Sequence, residues 1–70
     1  MKFFLISDNI DTLMGLRLVG IEGVVVHTRK DFLEVLQSKM RDSSIAIILV
    51  TTKLVDMCPD IISEIKLKQQ

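Results

Sequence analysis

The sequence predicts an α/β fold: a three-layer β-α-β-α-β-α chain around a three-stranded parallel sheet. Three observations carry this. Short β-branched or aromatic apolar runs stand at Phe3–Ile6, Val24–Val26 and Ile45–Val50. Between and after them lie segments whose apolar residues recur at helical spacing. The connections are too short for anything but alternation, which implies parallel strands and right-handed crossovers. The expected strand order is 2-1-3, half of a doubly wound, flavodoxin- or receiver-like sheet.

Each element has a local reason. Phe3-Phe4-Leu5-Ile6 is continuously apolar, as a strand buried on both faces is, and Ser7-Asp8-Asn9 stops it. A helix is expected from Ile10 to Ile21, its inward stripe being Ile10, Leu13, Met14, Leu18 and Ile21. Asp8, Asn9 or Asp11 is positioned to cap it, and Gly20 suits the left-handed residue that ends it. Val24-Val25-Val26 is the second strand. Thr28-Arg29-Lys30-Asp31 is a capping-box variant opening a second helix, with Phe32, Leu33, Leu36 and Met40 on one side. Asp42-Ser43-Ser44 breaks that helix. Ile45–Val50 is the strongest strand and is expected to be the most central. Thr51 or Thr52 caps a short helical turn, Lys53–Cys58. Pro59 opens a last helix from Asp60 to about Lys68, with Ile61, Ile62 and Ile65 inward and Glu64–Lys68 an i,i+4 pair.

Composition bounds the function. Seventy residues hold one domain, read as 1–70. So short a chain is marginal unless stapled. One cysteine makes no internal disulfide, and one histidine with one cysteine is a poor metal set. A partner or further chain remains as the stabiliser. Nine basic and nine acidic residues balance, with no basic stripe, which argues against nucleic-acid binding. No apolar run approaches the ~20 residues that span a bilayer. No secretory signal opens the sequence. The lone thiol with it points to the cytoplasm.

The carboxyl ends of the strands are where open α/β sheets bind ligands. Here they are Ser7-Asp8-Asn9, His27-Thr28 and Thr51-Thr52. No G-x-G-x-x-G and no P-loop follow the first strand, and its acids repel phosphate. Asp8 and Asp11 imitate the Mg²⁺-holding acids of a phosphoacceptor receiver. The third strand, however, ends in Thr51-Thr52 rather than a carboxylate. Helix capping and dipole complementation are the simpler roles of Asp8 and Asp11. A catalytic trio of His27, Asp8 and Thr51 is compatible with the topology, but a strand-end histidine is more simply a surface residue. Cys58 lacks a C-x-x-C partner and an obvious cationic neighbour, and reads as a small buried apolar residue. Arg17 is a solvated or docking residue. No catalytic, cofactor-binding or metal-ligating residue is assigned, and an empty site search favours a protein that works by binding another protein.

Ser7-Asp8-Asn9-Ile10-Asp11-Thr12-Leu13-Met14-Gly15-Leu16-Arg17-Leu18-Val19-Gly20-Ile21 resembles the F subunit of the V-type and A-type rotary ATPases. That family carries a G-D-x-D-T-x-x-G-F-R-L-A-G-I-type segment after its first strand. Asp8, Asp11, Thr12, Gly15, Arg17, Leu18, Gly20 and Ile21 match it, while Ser7, Leu16 and Val19 depart from the usual Gly, Phe and Ala. Ile45-Ala46-Ile47-Ile48-Leu49-Val50-Thr51 is similar to the family's I-x-I-I-L-I-T-E strand, with Thr52 where an acid is common. Met57-Cys58-Pro59-Asp60-Ile61-Ile62 is similar to its I-P-E-I-I helix start.

The resemblance implies a non-catalytic central-stalk (rotor) protein without a cofactor. Such a protein associates with the coiled-coil D subunit of the rotor. It helps couple ATP hydrolysis or synthesis in the A/B headpiece to proton or sodium transport. It also implies a cytoplasmic protein that meets the membrane only through the complex, and the near-absence of residues before Lys2 looks prokaryotic. The family's fold has four parallel strands and a C-terminal helix. The fourth strand and that helix would follow Gln70, so the chain is expected to be the N-terminal portion of a longer protein. It is also expected to self-associate through the open edge of Ile45–Val50 or through uncovered helix faces. The alternative reading is a receiver-like signalling or adaptor domain that binds proteins without being phosphorylated.

Overall fold

The computed structural model describes residues 2–68, and side chains through Glu64. Three strands, β1 (Lys2–Ser7), β2 (Glu22–Val25) and β3 (Ile45–Val50), form one sheet of order β2-β1-β3. Both pairings are parallel, with Leu5 opposite Gly23 on one side and Leu49 on the other. The helices are α1 (Ile10–Arg17), α2 (Arg29–Met40), α3 (Thr52–Met57) and α4 (Pro59–Lys68). The expected fold class and strand order are therefore observed, with the last segment divided into two helices.

β1 is the central strand, and Phe4 through Ser7 are all buried. Its side chains alternate between two faces. Phe4 and Ile6 join Val26, Phe32, Leu36, Leu54, Cys58 and Ile61 in one core under α2, α3 and α4. Leu5 points the other way, toward α1, where Leu13 and the backbone of Gly23 meet it. The ammonium of Lys39 lies 4.5 Å above the Phe4 ring, closing the rim of the main core.

β3 is not central. It is the edge strand, and none of its residues is fully buried. Apolarity measures how much surface an element covers, whereas position follows from where the crossovers land. β1 has a neighbour on each side because the chain crosses first one way and then the other.

The first helix also differs from expectation. It ends at Arg17, four residues early. Gly20 adopts φ 88°, its amide bonds to Arg17 O, and the Ile21 amide bonds to Leu16 O. That pair of bonds is a Schellman stop, which needs the left-handed residue that Gly20 supplies. The chain thus turns into β2 rather than continuing a helix. Of the predicted inward stripe only Leu13 is buried, and Ile10, Met14 and Leu18 are exposed.

Two other start signals act as read, whereas Thr51 precedes α3 without a side-chain cap bond, its hydroxyl being held by Asp8. Asn9 caps α1, its side chain accepting from the Thr12 amide at 2.7 Å. Thr28 caps α2, accepting from the Asp31 amide at 3.1 Å. Ile61 is buried in the core and Ile62 packs against it. Ile65 and the Glu64–Lys68 pair lie outside the described side chains.

Arg29, at the start of α2, grips Asp60, at the start of α4, with both guanidinium arms, at 2.9 and 2.5 Å. The hydrogen bonds from Arg29 hold the Asp60 carboxyl down at about 2, against an ordinary 3.8, and Asp60 in turn raises Arg29. A depressed carboxyl stabilises the fold above its unfolded value and loses that contribution as pH falls toward the folded value. Asp60→Asn is therefore expected to lower the melting temperature at about pH 5, with the difference closing toward about pH 2. The effect is small and salt-sensitive, because both side chains are more than half exposed. Melts of the two proteins across that range check it; a gap that does not narrow contradicts it.

Candidate functional site

The carboxyl ends of β1 and β3 come together. Ser7 is fully buried, yet its hydroxyl is satisfied, donating to Asn9 O at 2.8 Å and accepting from the Asn9 amide at 3.1 Å. That closed turn aims Asp8 across the sheet. The Thr51 hydroxyl donates to the Asp8 carboxylate at 2.7 Å and accepts from the Asp8 amide at 3.2 Å. The bond from Thr51 lowers the Asp8 carboxyl below its ordinary value. Asp8 is therefore a cross-strand tie rather than the helix cap, which is Asn9. The sequence left the choice open because all three neighbouring acids and amides suit a cap equally well.

Of His27, Asp8 and Thr51, the last two are hydrogen-bonded to each other. Thr51 commits its one proton to Asp8, so the hydroxyl is not offered to a base. His27 lies exposed between β2 and α2 and takes no part in the Asp8–Thr51 bonds. Asp11 sits exposed in the first turn of α1, where its charge complements the helix dipole. Among the described residues no group of three His, Cys, Asp or Glu side chains could hold a metal ion. Cys58 is fully buried in the core, as expected.

The surface that remains unexplained is the outer side of α1 and the turn after it. Ile10 is 55% exposed, Met14 59%, Leu18 89% and Val19 73%. Gly15, in the same helix, faces open space: a Cβ there would meet nothing within 4 Å. A mid-helix glycine costs roughly 0.5–1 kcal/mol relative to alanine. Nothing among the described residues comes close enough to require it. An exposed run of large apolar side chains is the kind of surface that meets a partner. The sequence showed the same stripe, but periodicity alone does not tell an inward stripe from an outward one. No residue next to the stripe in the sequence separates the two.

This face falls within the segment that carries the family motif. A family model described as the ATP synthase (F/14-kDa) subunit matches residues 4–70. The chain belongs to this family. Neither a comparison with curated proteins nor one with solved structures returned a match. By kinship the chain is part of an ATPase complex, and each motif residue has a place in the fold. Asp8 is the tie between strands. Asp11 and Thr12 form the first turn of α1. Gly20 and Ile21 form the stop. Gly15 and Leu18 belong to the open surface. No helix among the described residues is long and apolar enough to cross a membrane.

Proposed function

We propose that this member of the ATP synthase F family is a non-catalytic central-stalk component, docking on the coiled-coil D subunit of the rotor through the outer face of α1. In that role it helps couple ATP hydrolysis or synthesis in the A/B headpiece to proton or sodium transport, from the cytoplasmic side and without touching the membrane itself. Residues 1–70 act as one domain. The observation that supports the reading is the exposed apolar run Ile10, Met14, Leu18 and Val19. A coiled coil presents a continuous ridge of side chains, against which such an exposed apolar stripe can pack.

The test is assembly. Leu18→Asp with Val19→Asp is expected to abolish co-purification with the coiled-coil rotor protein. Both side chains are largely in solvent, so the isolated chain should keep its stability to within about 0.5 kcal/mol. Co-purification at the wild-type level would refute this docking face.

A further inference from the structure

Thr51 stands between the Ser7–Asn9 turn and α3, and its hydroxyl has two competing uses. Two other helices show what a cap looks like in this chain. The side chain of Asn9 accepts from the amide three residues on, Thr12, and that of Thr28 accepts from Asp31. At the same spacing the Thr51 hydroxyl would accept from the Leu54 amide. The Thr51 backbone is extended, with φ −67° and ψ 149°, as a cap residue's is, yet its side chain makes no cap bond to α3.

The first turn of α3 shows the consequence. At the start of α2 the Thr28 carbonyl accepts from the Phe32 amide, and the Thr28 hydroxyl accepts from Asp31. At the start of α3 the Thr51 carbonyl takes both amides, Leu54 at 3.0 Å and Val55 at 3.2 Å. The hydroxyl is engaged elsewhere, donating to the Asp8 carboxylate and accepting from the Asp8 amide. To cap α3 the oxygen must turn about χ1 to another staggered position, and that turn breaks both bonds to Asp8. The charged acceptor favours the tie. The doubly loaded carbonyl favours the cap.

Each side of this choice belongs to a different helix. The turn is the mounting of α1: Ser7 closes it, and Asn9 caps the helix. α3 carries Leu54 into the main core and leads through Cys58 into α4. A movement of α1 that draws Asp8 back releases the hydroxyl to α3. A movement of α3 that takes the hydroxyl releases Asp8, so the coupling runs both ways.

We propose that the Thr51 hydroxyl is a two-position latch, held on Asp8 in this structure and turning onto the Leu54 amide when released, which couples the seating of α1 to the first turn of α3. Every group in it lies between Ser7 and Val55, and none belongs to the outer face of α1, so the latch is independent of the stalk reading.

Nuclear magnetic resonance of the 70-residue chain tests it, three-bond couplings giving the Thr51 rotamer and hydrogen exchange reporting on single amides. Asp8→Ala removes the carboxylate. The expected result is a new Thr51 rotamer, faster exchange at the amide of position 8, and exchange at Leu54 slowed roughly fivefold, the scale of one cap bond. The opposite signs are the signature, because a mere loosening of the strand ends speeds both. Thr51→Val, which lacks the hydroxyl, should abolish the effect of Asp8→Ala on Leu54. Asp8 is only half-buried, so the fold should survive. If it does not, Asp8→Asn, a neutral acceptor of the same shape, should move the Thr51 populations part-way in the same direction. An unchanged Thr51 rotamer in the folded Asp8 variants would overturn the proposal. So would faster exchange at Leu54, or a slowing there that persists in the Thr51→Val background.

Discussion

Phe32→Ala is expected to cost about 3–5 kcal/mol, the usual penalty for emptying a buried aromatic site. Phe32 has no solvent exposure and is the largest of the fully buried side chains. It stands in the first turn of α2, in one cluster with Phe4 and Ile6 of β1 and Leu54, Cys58 and Ile61 of the last two helices. Its removal therefore loosens every layer on that side of the sheet at once. Stability of roughly 0.05–0.15 kcal/mol per residue leaves so short a chain little reserve. The variant should populate unfolded or partly folded states in dilute buffer, where the parent is folded. Urea titration followed by circular dichroism reads this out. A loss below about 1 kcal/mol would mean that the site collapses without Phe32, and that the core is looser than this packing implies.

Gly23→Ala should be the most damaging of the small substitutions. A Cβ at this position would stand 2.5 Å from Leu5 O, 2.8 Å from Leu5 Cβ and 3.0 Å from Leu13 Cδ1. The nearest obstacle is backbone in the central strand, so relief requires β2 to move away from β1 and break their register. Overpacking of this kind costs about 1–3 kcal/mol, and a rigid obstacle places it toward the upper end. Gly15→Ala, which meets nothing within 4 Å, is the matched control and should not destabilise the isolated chain. Thermal melts of the three proteins check the contrast. Equal stability of Gly23→Ala and the parent would show that β2 is not held this close.

Much of the fold was legible because local signals and global pattern agreed. Phe3–Ile6 and Ile45–Val50 could only be strands of this length and apolarity. Thr28 and Pro59 marked helix starts that the backbone uses. Gly20 marked a left-handed stop that it also uses, although the helix before it is shorter than its apolar spacing suggested. The functional surface was less legible. Ile10, Met14 and Leu18 form a helical stripe in sequence, and a stripe facing the core looks the same as one facing solvent. The direction is set by Leu5, Leu13 and Gly23, which lie in three different elements and meet only once the sheet has formed.

The same division holds for the strand ends and for β3. By itself the sequence determined an α/β chain of order 2-1-3, lacking glycine-rich phosphate loops and a phosphoacceptor, because such features depend on residues adjacent in the chain. The motif after the first strand and the match over residues 4–70 placed it in the ATP synthase F family. Only the tertiary structure decided that Asp8 ties to Thr51 forty-three residues away, that β1 and not β3 is central, and that the family motif turns an apolar face outward. Each of these depends on which elements become neighbours, and neighbours are chosen by crossovers and by competition for one small core, not by the local preference of any single segment.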